Sequence, residues 1–201
     1  MHQELNKHYL IKALSGPLPG EKAQLKMAPQ FRGEFHHSEN TRNAAVMILI
    51  FPYPKSLHTV FMKRNEYSGP HSAQVSFPGG VFEPGDKSLQ NTALRETREE
   101  TGINKDIEVL GSITPLYIPV SNYCVTPFIG WVNEPPAFDP DPSEVQYLIE
   151  VSISDMFDKT KQGSEKVMRH ENEFMAPYYL LNNEKIWGAT AMILSEFLAL
   201  A

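Results

Sequence analysis

Three glutamates, Glu96, Glu99 and Glu100, fall at i, i+3 and i+4 of one run that opens on Arg95 and closes at Gly102. On a helix turning about 100° per residue they are neighbours in space. Carboxylates crowded on an inward face repel one another and lose hydration. A hard cation removes that penalty. Magnesium and manganese take oxygen ligands: a few carboxylates, water and substrate phosphates. The chemistry such a cluster offers is metal-assisted hydrolysis. Arg95, four residues before Glu99, is placed to orient that carboxylate by a bidentate pair. The same residues would also make a solvated helix face with i,i+4 pairs, so the acids alone leave both readings open.

The helix that carries them is predicted over 89–101. Asp86 or Ser88 can cap its start, and Gly102 stands where a C-cap glycine belongs. Leu89, Ala93, Glu96 and Glu100 share about one 60° sector, with Thr92 and Glu99 beside it and Arg98 opposite. The face that begins apolar, and should pack on a sheet, therefore ends in acids. Before the helix, Gly79-Gly80 lets a backbone carbonyl approach a ligand closely, and Glu83, Gly85 and Asp86 fill the connecting loop.

The remaining elements must hold this helix. Ala44 to Phe51 is a continuous apolar run of strand length, the pattern of a strand buried on both faces. Thr59 to Arg64 reads as its neighbour, and Gln74 to Phe77 as a short strand stopped by Pro78-Gly79-Gly80. Ile107–Ile118 and Val125–Val132 read as strands; Val145–Val151, Val167–His170 and Phe174–Leu181 as strands or strand–turn pieces. Residues 2–14, with Leu5, Tyr9, Ile11 and Leu14 near helical spacing, suggest an amphipathic helix, and residues 15–43 a wrapping segment. Ile153 to Phe157 suits a short helix, and Ala189 to Ala199 a packed closing helix. Strands and helices alternate irregularly, which predicts an α/β fold with a mixed sheet sandwiched by helices.

Bulk properties narrow the partners. At 201 residues, 41% hydrophobic and 21% charged, the chain suits one domain with a substantial core. The net charge is −6 and no Lys/Arg stripe follows a phosphate backbone, which argues against long nucleic acid. A small phosphorylated ligand fits, since a metal ion supplies the positive charge. The apolar run ending at Phe51 is too short for a membrane helix of about twenty residues, so no membrane is expected. Met1 to Lys7 lacks the order of a signal peptide, and a single cysteine, Cys124, suits a reducing cytoplasm. The oligomeric state is open, a homodimer included.

The run Gly80, Asp86, Arg95-Glu96, Glu99-Glu100, Gly102, Ile103 resembles the signature box of the Nudix hydrolases. That pattern runs Gly, five residues, Glu, seven residues, Arg-Glu, an apolar residue, one residue, Glu-Glu, one residue, Gly and an apolar residue. The Arg-Glu-x-x-Glu-Glu-x-Gly core matches in full. Asp86 replaces the first Glu, eight residues rather than seven separate it from Arg95, and Thr97 holds the apolar position. The longer loop resembles the branch that includes coenzyme A pyrophosphatases, as does Arg64, His71, then Gln74-Val75-Ser76-Phe77-Pro78-Gly79-Gly80. Thr92 to Glu96 and Ile186 to Ala191 look like the same branch; Gly69 stands where that branch has a second Arg, and Ala73 where it has Gly.

The resemblance implies a Nudix-type α/β/α sandwich over residues 1–201, with 1–43 as N-terminal helix and wrapping segment. It implies a pyrophosphohydrolase acting on a nucleoside diphosphate linked to another moiety, coenzyme A or its derivatives. Glu96, Glu99, Glu100 and the Gly80 carbonyl would hold Mg2+ or Mn2+, assisted by Arg95. Arg64, His71, Gln74, Ser76 and Phe77 would meet substrate, and Glu96 or the loop acid Glu144 would be general base. Competing readings are an ADP-ribose or dinucleotide pyrophosphatase and a non-catalytic ligand-binding regulator of the same fold.

Overall fold

The computed structural model describes residues 5–30, 40–54, 56–65, 74–169 and 172–201. Its centre is strand β1 (Arg42–Tyr53), whose apolar run is buried on both faces. Ala44, Ile48 and Ile50 enter one core cluster, and Ala45, Met47, Leu49 and Phe51 the other. This is the alternation of a pleated strand between two layers, as the unbroken apolar run predicts.

Strand β2 (Ser56–Arg64) returns antiparallel, paired from Tyr53↔Ser56 to Ile50↔Thr59. The two strands then diverge, and β3 (Val75–Ser76) and β4 (Gly79–Val81) fill the split. β3 pairs with β2 at Met62↔Ser76, β4 pairs with β1 at Ala45↔Gly80, and the Met47 N–H donates to the Pro78 carbonyl at 2.8 Å. The glycine pair is thus wedged into the sheet beside the helix that follows, α3 (Leu89–Thr101).

Across the sheet, β7 (Tyr123–Trp131) runs parallel to β1, while β5 (Glu108–Ser112) and β6 (Leu116–Ile118) lie antiparallel on β7. β8 (Val145–Ser152) lies antiparallel outside β2, with a bulge between Lys63 and Arg64. The sheet is mixed, as expected. A short helix α4 (Ile153–Met156) leads to a second sheet of β9 (Gln162–Arg169), β10 (Asn172–Leu181) and β11 (Glu184–Trp187), and α5 (Gly188–Leu200) closes the fold. α3 covers one face of the main sheet through Ala93; α5 and α1 (Lys7–Leu14) cover the other through Ile193, Phe197 and Leu10. The α/β/α sandwich is present.

Several boundaries differ from expectation. α1 begins at Lys7 behind an Asn6 cap; it buries Leu10 and leaves Ile11 44% exposed, so the apolar stripe is narrower than the spacing suggests. The wrapping segment contains α2 (Gly20–Gln24), with Ala23, Gln24 and Met27 buried. Residues 107–118 form two strands because the Ile113–Pro115 corner separates them. β9 starts at Gln162, ahead of any apolar residue, and β11 was not anticipated. Among the described residues, no helix is long and apolar enough to cross a membrane.

Candidate active site

Ser88 caps α3: its Oγ accepts the Asn91 N–H at 3.2 Å, and the helix ends at Gly102 in the left-handed conformation, φ +65°. Between these caps the acids fall where the helical period puts them. Glu100 is inward and 2% exposed, Glu96 is partly covered, and Glu99 and Arg98 face solvent. Gly80 lies so close to Glu96 that a Cβ there would overlap its carboxylate. Only glycine lets strand and acid approach in this way.

Arg95 is the local counter-cation. Its bidentate partner is not Glu99, as the spacing suggests, but Asp86: Nε donates to Oδ1 and Nη2 to Oδ2, both at 3.0 Å. Nη1 is left to bridge Glu96 and Glu99 at 3.0 Å each. Asp86 also accepts from the Thr92 hydroxyl and the Glu83 N–H. Asp86 is therefore an anchor rather than a cap. These donors, Arg95 first, hold its carboxyl far below the usual carboxylate range, and Asp86 in turn keeps Arg95 firmly protonated.

Glu100 is in the opposite situation. Burial raises its pKa to about 8; the Arg64 charge and the Gly79 N–H pull it down, while Glu96 and Glu144 push it further up. Burial likewise raises Glu96, against the opposing pull of Arg95 and with the support of Glu99 and Glu144. Glu144, exposed on the loop before β8, is thus within electrostatic reach of both. Glu96, Glu100 and Glu144 are thus in electrostatic reach of one another, with Glu99 turned to solvent beside them.

The upstream residues divide. Ser76 pairs with Met62, which places Ser76, Gln74 and Arg64 on the α3 side of the sheet. The Ser76 Oγ is buried without a hydrogen-bond partner among the described residues. Phe77 points the other way, 1% exposed and packed on Phe61 with ring centroids 4.6 Å apart. It is core, not substrate contact. Strand alternation could have shown this, since consecutive extended residues cannot face one ligand. Arg64 does not stand free for a phosphate: its Nη2 donates to the Gly79 carbonyl at 2.8 Å and lies 3.4 Å from Glu100 Oε1. His71, like Gly69, lies outside the described residues.

The donor set is all oxygen, which fits a hard divalent ion, and the Gly80 backbone lies directly against the Glu96 carboxylate. As they stand, no three His, Cys, Asp or Glu side chains among the described residues are gathered closely enough to hold one ion. Arg95 holds Glu99 outward and Gly79 holds Glu100. Glu99 is 57% exposed, so no core packing fixes its side chain.

A family model, the NUDIX domain, matches residues 41–170. A Nudix hydrolase of Photorhabdus laumondii called NudL, itself uncharacterized, is 34% identical over 79% of this chain and 84% of its own. A NudL of Pectobacterium atrosepticum is 31% identical over 86% of this chain and 88% of its own. A solved MutT/nudix family protein from Enterococcus faecalis shares the fold, with TM-score 0.52 at 16% identity, covering 98% of this chain and 75% of that one. With the box of α3, a domain match over most of the chain and relatives above 30% identity along nearly their full length, this chain belongs to the Nudix hydrolases.

Proposed function

We propose that this Nudix hydrolase cleaves the diphosphate of coenzyme A or its derivatives, releasing 3′,5′-ADP and 4′-phosphopantetheine. The observation that carries the hydrolytic reading is the packing of Glu96 and Glu100 of one helix against the Gly79-Gly80 backbone, with Glu144 in electrostatic reach of both. The coenzyme A reading is supported by the Gln74–Gly80 run, which is built into the same site rather than lying elsewhere on the surface.

In this reading Glu96, Glu99, Glu100 and the Gly80 carbonyl hold Mg2+ or Mn2+. When bound, such an ion neutralises charge developing on the phosphate oxygens and acidifies water. Asp86 holds Arg95 by two hydrogen bonds of its own, so Arg95 would stay in place were Glu99 to turn from it to the ion. Glu144 carries no pairing to a cation among the described ion pairs and takes the proton of the attacking water; Glu96, the other candidate, is held by Arg95. Ser76 Oγ, without a partner among the described residues, offers a donor to substrate oxygen. Gln74 and His71 complete the substrate contacts. The chain acts as one domain of residues 1–201, since Leu10, Met27 and Leu194 share a core with Ile48.

The test is turnover of coenzyme A, its thioesters, ADP-ribose, NADH and dinucleoside polyphosphates with magnesium and with manganese, with products identified. Coenzyme A should give 3′,5′-ADP and 4′-phosphopantetheine. Strong turnover of ADP-ribose to AMP and ribose 5-phosphate, with coenzyme A inert, overturns the substrate assignment.

A further inference from the structure

We propose that Arg64 is a positioning residue, setting the Gly79–Gly80 peptide and the Glu100 carboxylate in register, rather than a ligand of substrate phosphate. The proposal rests on the metal-site reading above and deepens it. Gly79 is clamped at both ends. Its N–H donates to Glu100 Oε2 at 2.7 Å, and its carbonyl accepts from Arg64 Nη2 at 2.8 Å. The same Nη2 lies 3.4 Å from Glu100 Oε1, which closes a ring of three residues from β2, β4 and α3.

Two features aim Arg64 at this ring. Met62, two residues earlier on β2, pairs with Ser76 on the α3 side, and strand alternation puts Arg64 on that side too. Its own N–H is tied to the Gln74 carbonyl at 3.1 Å, which fixes the end of β2 against the segment that leads into Gly79. The ring fixes the plane of the peptide that leads into Gly80, and with it the Gly80 backbone that lies against Glu96. Among the described residues Arg64 is the cation that pairs with the buried Glu100, whose other charged neighbours there are acids. Without Arg64, the Gly79 carbonyl loses its donor and Glu100 its adjacent cation, and two ligand positions are left less ordered.

Lysine discriminates between the roles. It keeps the charge a phosphate needs but lacks the planar fork that spans a carbonyl and a carboxylate. The experiment compares wild type, Arg64→Lys and Arg64→Ala by three readouts: Mn2+ affinity without substrate, from the electron paramagnetic resonance of free Mn2+; the Gly79 amide proton in a 1H–15N spectrum of the metal-free protein; and kcat and KM on the substrate that is turned over. Both variants should bind Mn2+ about 10–100-fold more weakly. The Gly79 amide, downfield in wild type because its bond to a carboxylate is short, should move upfield in both. kcat should fall with KM unchanged within about threefold. Mn2+ affinity like wild type in both variants, with KM raised about tenfold or more in Arg64→Ala and largely restored in Arg64→Lys, overturns the proposal and makes Arg64 a phosphate ligand. The first two readouts need no substrate, so they decide the role of Arg64 even if coenzyme A proves inert. A wild type that binds no Mn2+ overturns the metal reading and this proposal together.

Discussion

Two glutamates, Glu100 on α3 and Glu196 on α5, are buried against opposite faces of the same sheet. Glu196 is fully covered, yet its oxygens are filled by neutral donors. Oε1 accepts the Gly20 and Thr114 N–H groups at 3.0 and 3.2 Å, and Oε2 accepts Gln24 Nε2 at 2.8 Å. Glu100 has one N–H, an arginine at 3.4 Å, and two like-charged neighbours. Burial alone therefore does not mark a functional acid. What separates them is whether the lone pairs meet fixed dipoles of this chain or other acids. Glu196 is a staple that ties the N-terminal segment and the Thr114 corner to α5. Glu100 is left in a state that a cation would relieve.

The sharpest way to break the contrast is Glu100→Gln. Turnover should fall by about 10³-fold or more, since ion-assisted stabilisation amounts to several kcal/mol. The metal-free variant should be at least as stable as wild type above neutral pH, because it neither takes up a proton on folding nor buries a charge. Steady-state kinetics and urea unfolding check both; wild-type-like turnover at saturating magnesium would sink the metal assignment.

Next in size is a pH effect. The folded pKa of Glu100, about 8, lies above an unfolded value of roughly 4.3. The preference of the fold for the neutral form is thus complete below roughly 4.3 and is lost as pH rises through 8. Metal-free stability should decline across that window. Binding an ion near neutrality must expel the proton, so apparent Mn2+ affinity should climb by up to about tenfold per pH unit until pH 8 and then flatten. Calorimetry in buffers of different ionisation enthalpy measures the proton released. Glu100→Gln should remove the slope and Glu196→Gln should keep it; a slope surviving in Glu100→Gln assigns the proton elsewhere.

Glu196→Gln tests the other half. An amide in place of the carboxylate sets its own N–H₂ against donors, and leaving buried donors unpaired should cost about 2–3 kcal/mol by urea unfolding. Activity per folded molecule should stay within about twofold, since α5 lies across the sheet from the acids. Lost activity at unchanged stability would erase the distinction.

The two glutamates also differ in how far the sequence reveals them. The α3 acids are legible because everything that makes them a cluster is local: a spacing of three and four, Ser88 before and Gly102 after. The buried strand β1 is legible for the same reason, its whole signal lying in one apolar run. Glu196 stands in an apolar helix, and its donors come from 176, 172 and 82 residues away. No local pattern announces them. The engagement of Arg64 with Gly79 depends on the divergence of β1 from β2, which leaves no residue signature. The Asp86–Arg95 pair hides differently: an acid nine residues earlier competes with an i,i+4 acid, and chain geometry decides for the distant one.

Thr97 gives the finest test of the contrast, because it breaks the apolar pattern of the box at a fully buried position. Its hydroxyl donates to the Ala93 carbonyl at 2.6 Å, and Thr101 does the same to Thr97. Both polar groups are satisfied within the helix, as Glu196 is satisfied within the fold. The Ala93 carbonyl also has the helix's own i→i−4 bond to rely on. Thr97→Val removes a satisfied hydroxyl and leaves no orphan, so stability should change by no more than about 0.5 kcal/mol and turnover by less than about twofold. Thr92 is the control, since its hydroxyl serves Asp86 at 2.9 Å and so helps fix Arg95. If Thr97→Val costs as much as Glu196→Gln, the inward face of α3 is as tightly constrained as the α5 staple, and Glu100 is no longer the exception on it.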